Sequence, residues 1–223
     1  MLINYLLLSH ILCDNTPSYG NRDKFIIRSN NSISSGSSAN TSTWIFSNNH
    51  IGTHIDSPYH FSNDGKKTFQ YDLSNYIFQN IEIVDVPCLN AYLIEPEDLI
   101  NFKIKKKTEI LLIRTGFEKY REQEKYWNDY PGISSKVAIY IRKNFPNIRC
   151  IGFDFISLTS TKFKEEGRLA HIEFLNPKQD EKSILIIEDM SLINITKKIS
   201  KLTVAPIFVI DGNGGPVTII AET

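Results

Sequence analysis

His50-Ile51-Gly52-Thr53-His54-Ile55-Asp56-Ser57-Pro58-Tyr59-His60 is the stretch on which the reading of this chain turns. Three of the chain's 5 histidines fall within it, together with one aspartate. Neutral imidazoles and carboxylates are ligands that zinc and manganese both accept. The spacing of His50 and His54 would suit one face of a helix. Gly52, Thr53 and Pro58 are poor helix formers, however, and no apolar stripe runs alongside them. The segment reads instead as a strand end running into a turn. On an extended chain His50, His54 and Asp56 are separated by even steps, which turns their side chains to one side. Gly52 permits close approach of backbone, and Pro58 fixes the exit of the loop.

Around this segment lie short β-branched and aromatic runs that read as strands: Tyr5–Leu8, Ile81–Val86, Glu109–Arg114, Cys150–Ile156, Ser183–Ile187, Val204–Ile210 and Pro216–Ala221. Several are continuous apolar runs, as expected of strands covered on both faces. Asp211-Gly212-Asn213-Gly214-Gly215 is a turn signal, so the C-terminus reads as a hairpin. Helical pieces intervene. Pro96-Glu97-Asp98 opens a short one, and Ser134 or Ser135 caps a better one with Val137, Ile141 and Phe145 on one face. Glu118–Asn128 suits a surface helix, and the Ser- and Asn-rich Ser29–Ser42 an exposed loop or ragged ribbon. Strands and helices mixed in this way imply an α/β domain without regular βαβ alternation.

The 223 residues suit one domain, 1–223, and 41% hydrophobic residues supply a sizeable core. Twenty-five basic and 25 acidic side chains give a net charge of 0, which argues against a nucleic-acid binder. The partner expected is a small molecule. No run approaches the ~20 apolar residues of a membrane span. Cys13, Cys88 and Cys150 are far apart, odd in number and without C-x-x-C spacing, which argues against a disulfide framework and a thiolate zinc site. Each reads as a buried small hydrophobe. The apolar start, without a basic leader or cleavage site, reads as a first strand, and the chain as cytoplasmic. The sequence holds no G-x-S-x-G elbow, Walker loop or G-x-G-x-x-G.

The histidine segment, as H-x-G-T-H-x-D-x-P-x-H, resembles the hallmark of the metal-dependent cyclase-like hydrolases, which include bacterial kynurenine formamidases (arylformamidases) and isatin hydrolases. The resemblance extends along the chain. It takes in Leu8-Ser9-His10 with Thr16-Pro17, Leu112-Ile113-Arg114-Thr115-Gly116, Pro131-Gly132-Ile133, Ile151-Gly152-Phe153-Asp154 and the closing Val204-Ala205-Pro206 and Gly214-Gly215-Pro216-Val217. It implies a swivelling β/β/α domain with a mixed sheet core and flanking helices, forming homodimers or homotetramers.

The resemblance also implies a site with one or two divalent ions, zinc foremost and manganese as an alternative. His50, His54 and Asp56 match ligands of a first metal, with Asp56 bridging. His171 and Glu188 match ligands of a second, and His60 matches the proton donor and acceptor. Extra polar residues, roughly Asn176–Lys182, lengthen the His171–Glu188 spacing and make Glu173 a rival to Glu188. Tyr19 is the candidate wall of the substrate pocket. His10 reads as a structural histidine, Asp154 as a strand-end cap or a ligand-orienting group, Arg114 as half of an ion pair, and Trp44 and Trp127 as packing residues or anchors. The activity implied is amide hydrolysis of N-formyl-L-kynurenine by metal-activated water. The alternatives are ring opening of a cyclic amide or lactone, a biosynthetic cyclase, or a non-catalytic metal-binding protein.

Overall fold

The structure, a computed structural model, describes residues 3–176 and 181–223. The chain begins with β1 (Tyr5–Leu7), then a ribbon of β2 (Phe25–Asn31) and β3 (Thr41–Phe46), then β4 (His54–Asp56). Strands β5 (Ile77–Phe78), β6 (Ile81–Asp85), β7 (Leu93–Ile94) and β8 (Ile110–Arg114) follow. Helix α1 (Lys125–Asn128), β9 (Gly132–Ile133), helix α2 (Ser135–Asn144), β10 (Cys150–Phe153) and helix α3 (Lys164–Leu175) come next. The chain closes with β11 (Leu185–Glu188), β12 (Lys201–Pro206) and β13 (Gly214–Glu222).

Among the described residues one mixed sheet runs β5-β12-β13-β4-β11-β10-β8-β6, with β1 also paired to β13. Its β6, β8, β10 and β11 run parallel to one another, and all five side chains from Ile110 to Arg114 are buried or half-buried. That is the pattern of strands covered on both faces. From β11 onward, through β4, β13, β12 and β5, the pairing is antiparallel. The histidine motif therefore enters the sheet where its parallel half meets its antiparallel half.

Each face of the sheet carries its own core. One packs Val137, Ala138 and Ile141 of α2 and Ala170, Phe174 and Leu175 of α3 against Leu111, Ile113, Ile151 and Phe153. The other joins Ile110, Leu112, Cys150 and Ile187 to Leu202, Val204 and Ile219 of the C-terminal hairpin. The α/β class and the mixed sheet with flanking helices agree with the reading of the sequence. No helix among the described residues is long and apolar enough to cross a membrane.

Several local expectations need correction. The run Val204–Ile210 is a strand only up to Pro206. Ile207–Ile210 instead form the hairpin loop, closed by Gly212 N–H on the Val209 carbonyl, and stand exposed. Glu118–Asn128 is a 3-10 turn (Phe117–Tyr120) and a single α turn. Helix α3, on which no helix was expected, carries His171. Ser29–Ser42 is the tip of a β2–β3 ribbon. Cys88 and Cys150 are buried, but Cys13 is exposed. Trp44 stands on the open face of β3 at 66% exposure, while Trp127 packs partly against the core. Of the polar insertion Asn176–Lys182, positions 177–180 lie outside the described residues.

Candidate metal centre

β4 presents His54 and Asp56 on one face, as the period of a strand requires, and both are buried. Just before it Gly52 adopts φ +67, and a Cβ there would meet Leu12 Cδ2 at 2.7 Å. That left-handed step, open to glycine without strain, brings His50 back over the strand. His50 Nδ1 lies 2.8 Å from Asp56 Oδ1. A short turn from Pro58 to His60 then stacks the His60 ring on that of His50, with centroids 4.1 Å apart.

Two further groups arrive from distant segments. Glu188, the last residue of β11, sits opposite His54 in the β4–β11 ladder, and its Oε2 lies 3.4 Å from His54 Nε2. His171, on the buried face of α3, places Nε2 3.7 Å from Asp56 Oδ2 and 3.6 Å from Glu188 Oε1. Thus His50, His54, Asp56, His60, His171 and Glu188 converge. His50, Asp56 and His60 form one potential cation-holding group, and His54, Asp56 and Glu188 another, with Asp56 common to both. Glu173 faces away: Arg142 forms an ion pair with its carboxylate and donates to its carbonyl.

The donor set fits a divalent cation. His54 Nδ1–H donates to the Gly52 carbonyl at 2.8 Å, and His171 Nδ1–H donates to the Gly167 carbonyl at 2.9 Å. Those bonds leave both Nε2 atoms turned to the carboxylates and available to a cation, as second-partner hydrogen bonds do for metal-binding histidines. Asp56 and Glu188 are 1% and 3% exposed, yet among the described residues neither pairs with a lysine or arginine. Two buried carboxylates need positive charge from somewhere.

In the chain alone the imidazoles take that part. Burial by itself would lower His54, but its hydrogen bond to Glu188 and the charge of Asp56 outweigh burial and raise it to about 9. Burial likewise opposes, and bonds to Asp56 and Glu188 reverse, the shift of His171, which rises to about 10. Against the upward push of burial, His171 and His54 bring Glu188 down to about 2. His60 differs. Burial pushes it down to about 4 despite the charge of Asp56, so it is neutral at neutral pH.

The cluster forms the floor of a cavity of about 290 Å³, walled by Tyr19, Phe61 and Ile156, with Arg22 and Asp23 also lining it. Tyr19 meets Tyr130 edge-on, and Phe61 stacks on His171 at 4.7 Å.

Residues 6–159 match the sequence model of a family described as putative cyclase. The chain belongs to that family. The kynurenine formamidase of Bacillus mycoides (strain KBAB4) is 30% identical over 168 residues, which cover 75% of this chain and 73% of that protein. A solved structure described as a potential metal-dependent hydrolase with cyclase activity has a TM-score of 0.76 at 17% identity, covering 99% of this chain and 98% of its own. Isatin hydrolase A from Ralstonia solanacearum has a TM-score of 0.79 at 15% identity, covering 99% and 92%. These two likenesses establish the cyclase-family fold.

Within this cyclase-family chain some neighbours of the site escaped the sequence. Asn213 spans two rings: its Oδ1 is 3.2 Å from His50 Nε2, and its Nδ2–H donates to His60 Nδ1 at 3.3 Å. Leu158 N–H donates to Glu188 Oε1 at 2.7 Å. Other candidates stand aside. His10 Nε2 is 3.9 Å from Asp189 and outside the cluster. Asp154 caps the strand ends by accepting from Thr115 and Gly116 N–H, and Arg114 pairs with Asp85.

Proposed function

We propose that this cyclase-family chain is a metal-dependent hydrolase of amide C–N bonds, and that its substrate is N-formyl-L-kynurenine, released as L-kynurenine and formate. The observation that carries the reading is the convergence of two imidazole Nε2 atoms on two buried carboxylates, on a cavity floor beside His60. The substrate is supported by relatives 30% identical to this chain that are named kynurenine formamidases.

His50, His54, Asp56, His171 and Glu188 would hold the cation, zinc foremost and manganese as an alternative, in one or two positions. When bound, such a cation supplies Lewis-acid polarisation of a carbonyl and lowers the pKa of water to about 7. His60 takes the proton of the attacking water on a ring nitrogen and returns it to the departing nitrogen, which cannot leave unprotonated. Asn213 holds the His60 ring in place for both transfers. Tyr19 and Phe61 line the cavity and would face the aryl ring of the substrate.

The test is hydrolysis of N-formyl-L-kynurenine by metal-loaded protein, before and after chelation, with metal content measured by elemental analysis. Activity should vanish with the metal and return on adding zinc. His60→Ala should lower kcat by about 100-fold or more, the range of general acid–base catalysis, while the metal stays bound. Activity indifferent to chelation or to His60→Ala would overturn the mechanism. Turnover of a cyclic amide such as isatin, with none of the formamide, would move the substrate while keeping the chemistry.

A further inference from the structure

A second buried polar network lies directly behind the ligand cluster. Asp189 follows Glu188, adopts φ +52, and has a side chain only 1% exposed. Its carboxylate accepts Arg121 Nε–H at 2.9 Å and Nη2–H at 2.7 Å, and the Tyr126 hydroxyl at 2.5 Å. Its N–H donates to the Phe155 carbonyl at 2.9 Å, and its own carbonyl accepts the Thr53 hydroxyl at 2.5 Å. Thr53 Oγ1 in turn accepts the N–H of His10 at 2.8 Å.

The place of the Thr53–Asp189 bond is informative. Backbone register sets Glu188 opposite His54. The bond joins the residue before His54 to the residue after Glu188, and so adds one rung where the ladder has ended. Both chains leave that rung through left-handed backbone, at Gly52 and at Asp189. A left-handed aspartate persists only where its surroundings over-determine it, and here every polar group of Asp189 is engaged. Thr53, Arg121, Tyr126 and Asp189 are absent from the cavity wall, so they do not meet a substrate directly.

We propose that Thr53 and Asp189 are positioning residues. Their hydrogen bond, anchored by Arg121 and Tyr126, fixes the separation of His54 Nε2 and Glu188 Oε2, 3.4 Å in this structure, and thereby sets the affinity for the divalent cation. The inference rests on the metal-dependent reading above.

Thr53→Val keeps the side-chain shape and removes the hydroxyl, whereas Thr53→Ser keeps the hydroxyl. For each full-length variant the readouts are zinc and cobalt affinity by competition with a chromophoric chelator, the visible absorption of the cobalt form, and melting of the metal-free chain. Thr53→Val should weaken affinity about 10- to 100-fold, the usual effect of removing a group that orients metal ligands. It should also change the cobalt spectrum, and Thr53→Ser should restore both. Asp189→Asn, which tolerates the left-handed turn, should weaken affinity in the same sense and serves if Thr53→Val folds poorly. Wild-type affinity and spectrum in either variant would overturn the positioning role. So would an affinity loss that Thr53→Ser shares, or one matched by an equal loss of metal-free stability. A wild-type chain that takes up neither zinc nor cobalt overturns the metal reading itself and this role with it.

Discussion

Gly214 lies across the ladder from Asp56, and a methyl group there would have no room. A Cβ would stand 2.5 Å from the Ile55 carbonyl oxygen, 2.7 Å from His50 Cε1 and 3.3 Å from Asp56 Oδ1. Gly214→Ala should therefore destabilise the chain by about 1–3 kcal/mol through overpacking. That outweighs the roughly 0.4–1 kcal/mol gained by restricting the unfolded chain. Because the His50 ring is the side chain in the way, metal uptake should weaken as well. Urea melts and a zinc titration check both, and an alanine variant that binds zinc like wild type would sink the steric argument. The residues around Gly214 also show what a sequence can reveal of a site. His50, His54, Asp56 and His60 share eleven consecutive positions, so their chemistry is visible as density. His171 and Glu188 are isolated in sequence and became candidates only through family resemblance. Asn213 sits in a glycine-rich turn and reads only as a turn. What makes it a neighbour of His50 and His60 is the register of β13 against β4, a tertiary fact with no local signature.

Helix α3 shows the same limit at the level of elements. Its buried positions, Gly167, Ala170, His171, Phe174 and Leu175, follow the spacing of an amphipathic helix. The first three of them are not large apolar residues, so no hydrophobic stripe betrays the helix. Small side chains let α3 approach the sheet closely enough to deliver His171: a Cβ on Gly167 would sit 2.5 Å from Thr159 Oγ1. The β2–β3 ribbon was obscure for another reason, since nearly all its side chains are exposed and no inside–outside alternation is imposed. The parallel strands, by contrast, were legible because burial on both faces demands continuous apolar runs. One polar link from α3 to the start of α2 is Glu166, whose Oε1 accepts the Ser135 N–H at 2.8 Å and the Ser135 and Ser134 hydroxyls at 2.7 and 3.1 Å. The Ser135 bond is the main reason its carboxyl is held below the ordinary range. A depressed folded-state pKa contributes stability above the unfolded value of about 4.3, and that stability is lost as pH falls through the folded value. Glu166→Ala should cost at most about 1 kcal/mol at neutral pH, because solvent screens a carboxylate this exposed. The gap to wild type should narrow as pH falls below the unfolded value and close only once pH is below the folded one. Denaturant melts at the two pH values decide it, and a gap that does not change with pH would rule out the ionised carboxylate as the cap.

Over the whole molecule, the proposed ligands come from separate parts of the chain. His50 and His60 flank β4, Glu188 ends the last parallel strand, and His171 belongs to the helix layer. A cation held by them would link the parallel half of the sheet, the antiparallel half and α3, so it should stabilise the global fold and not one loop. Mass action gives the size of the effect. A cation at about 1,000 times its Kd that binds only the folded chain adds about 4 kcal/mol. For a chain of this length each kcal/mol moves the melting temperature by about 2–4 °C, so saturation with zinc should raise Tm by roughly 10 °C over the chelated protein. The whole transition should move as one, followed equally by far-ultraviolet circular dichroism and by fluorescence of Trp127, which packs against the core beside the helix layer. A shift confined to one probe would mean that the cation braces only its own loop, and no shift at all would mean that the cluster balances its buried carboxylates with imidazolium alone.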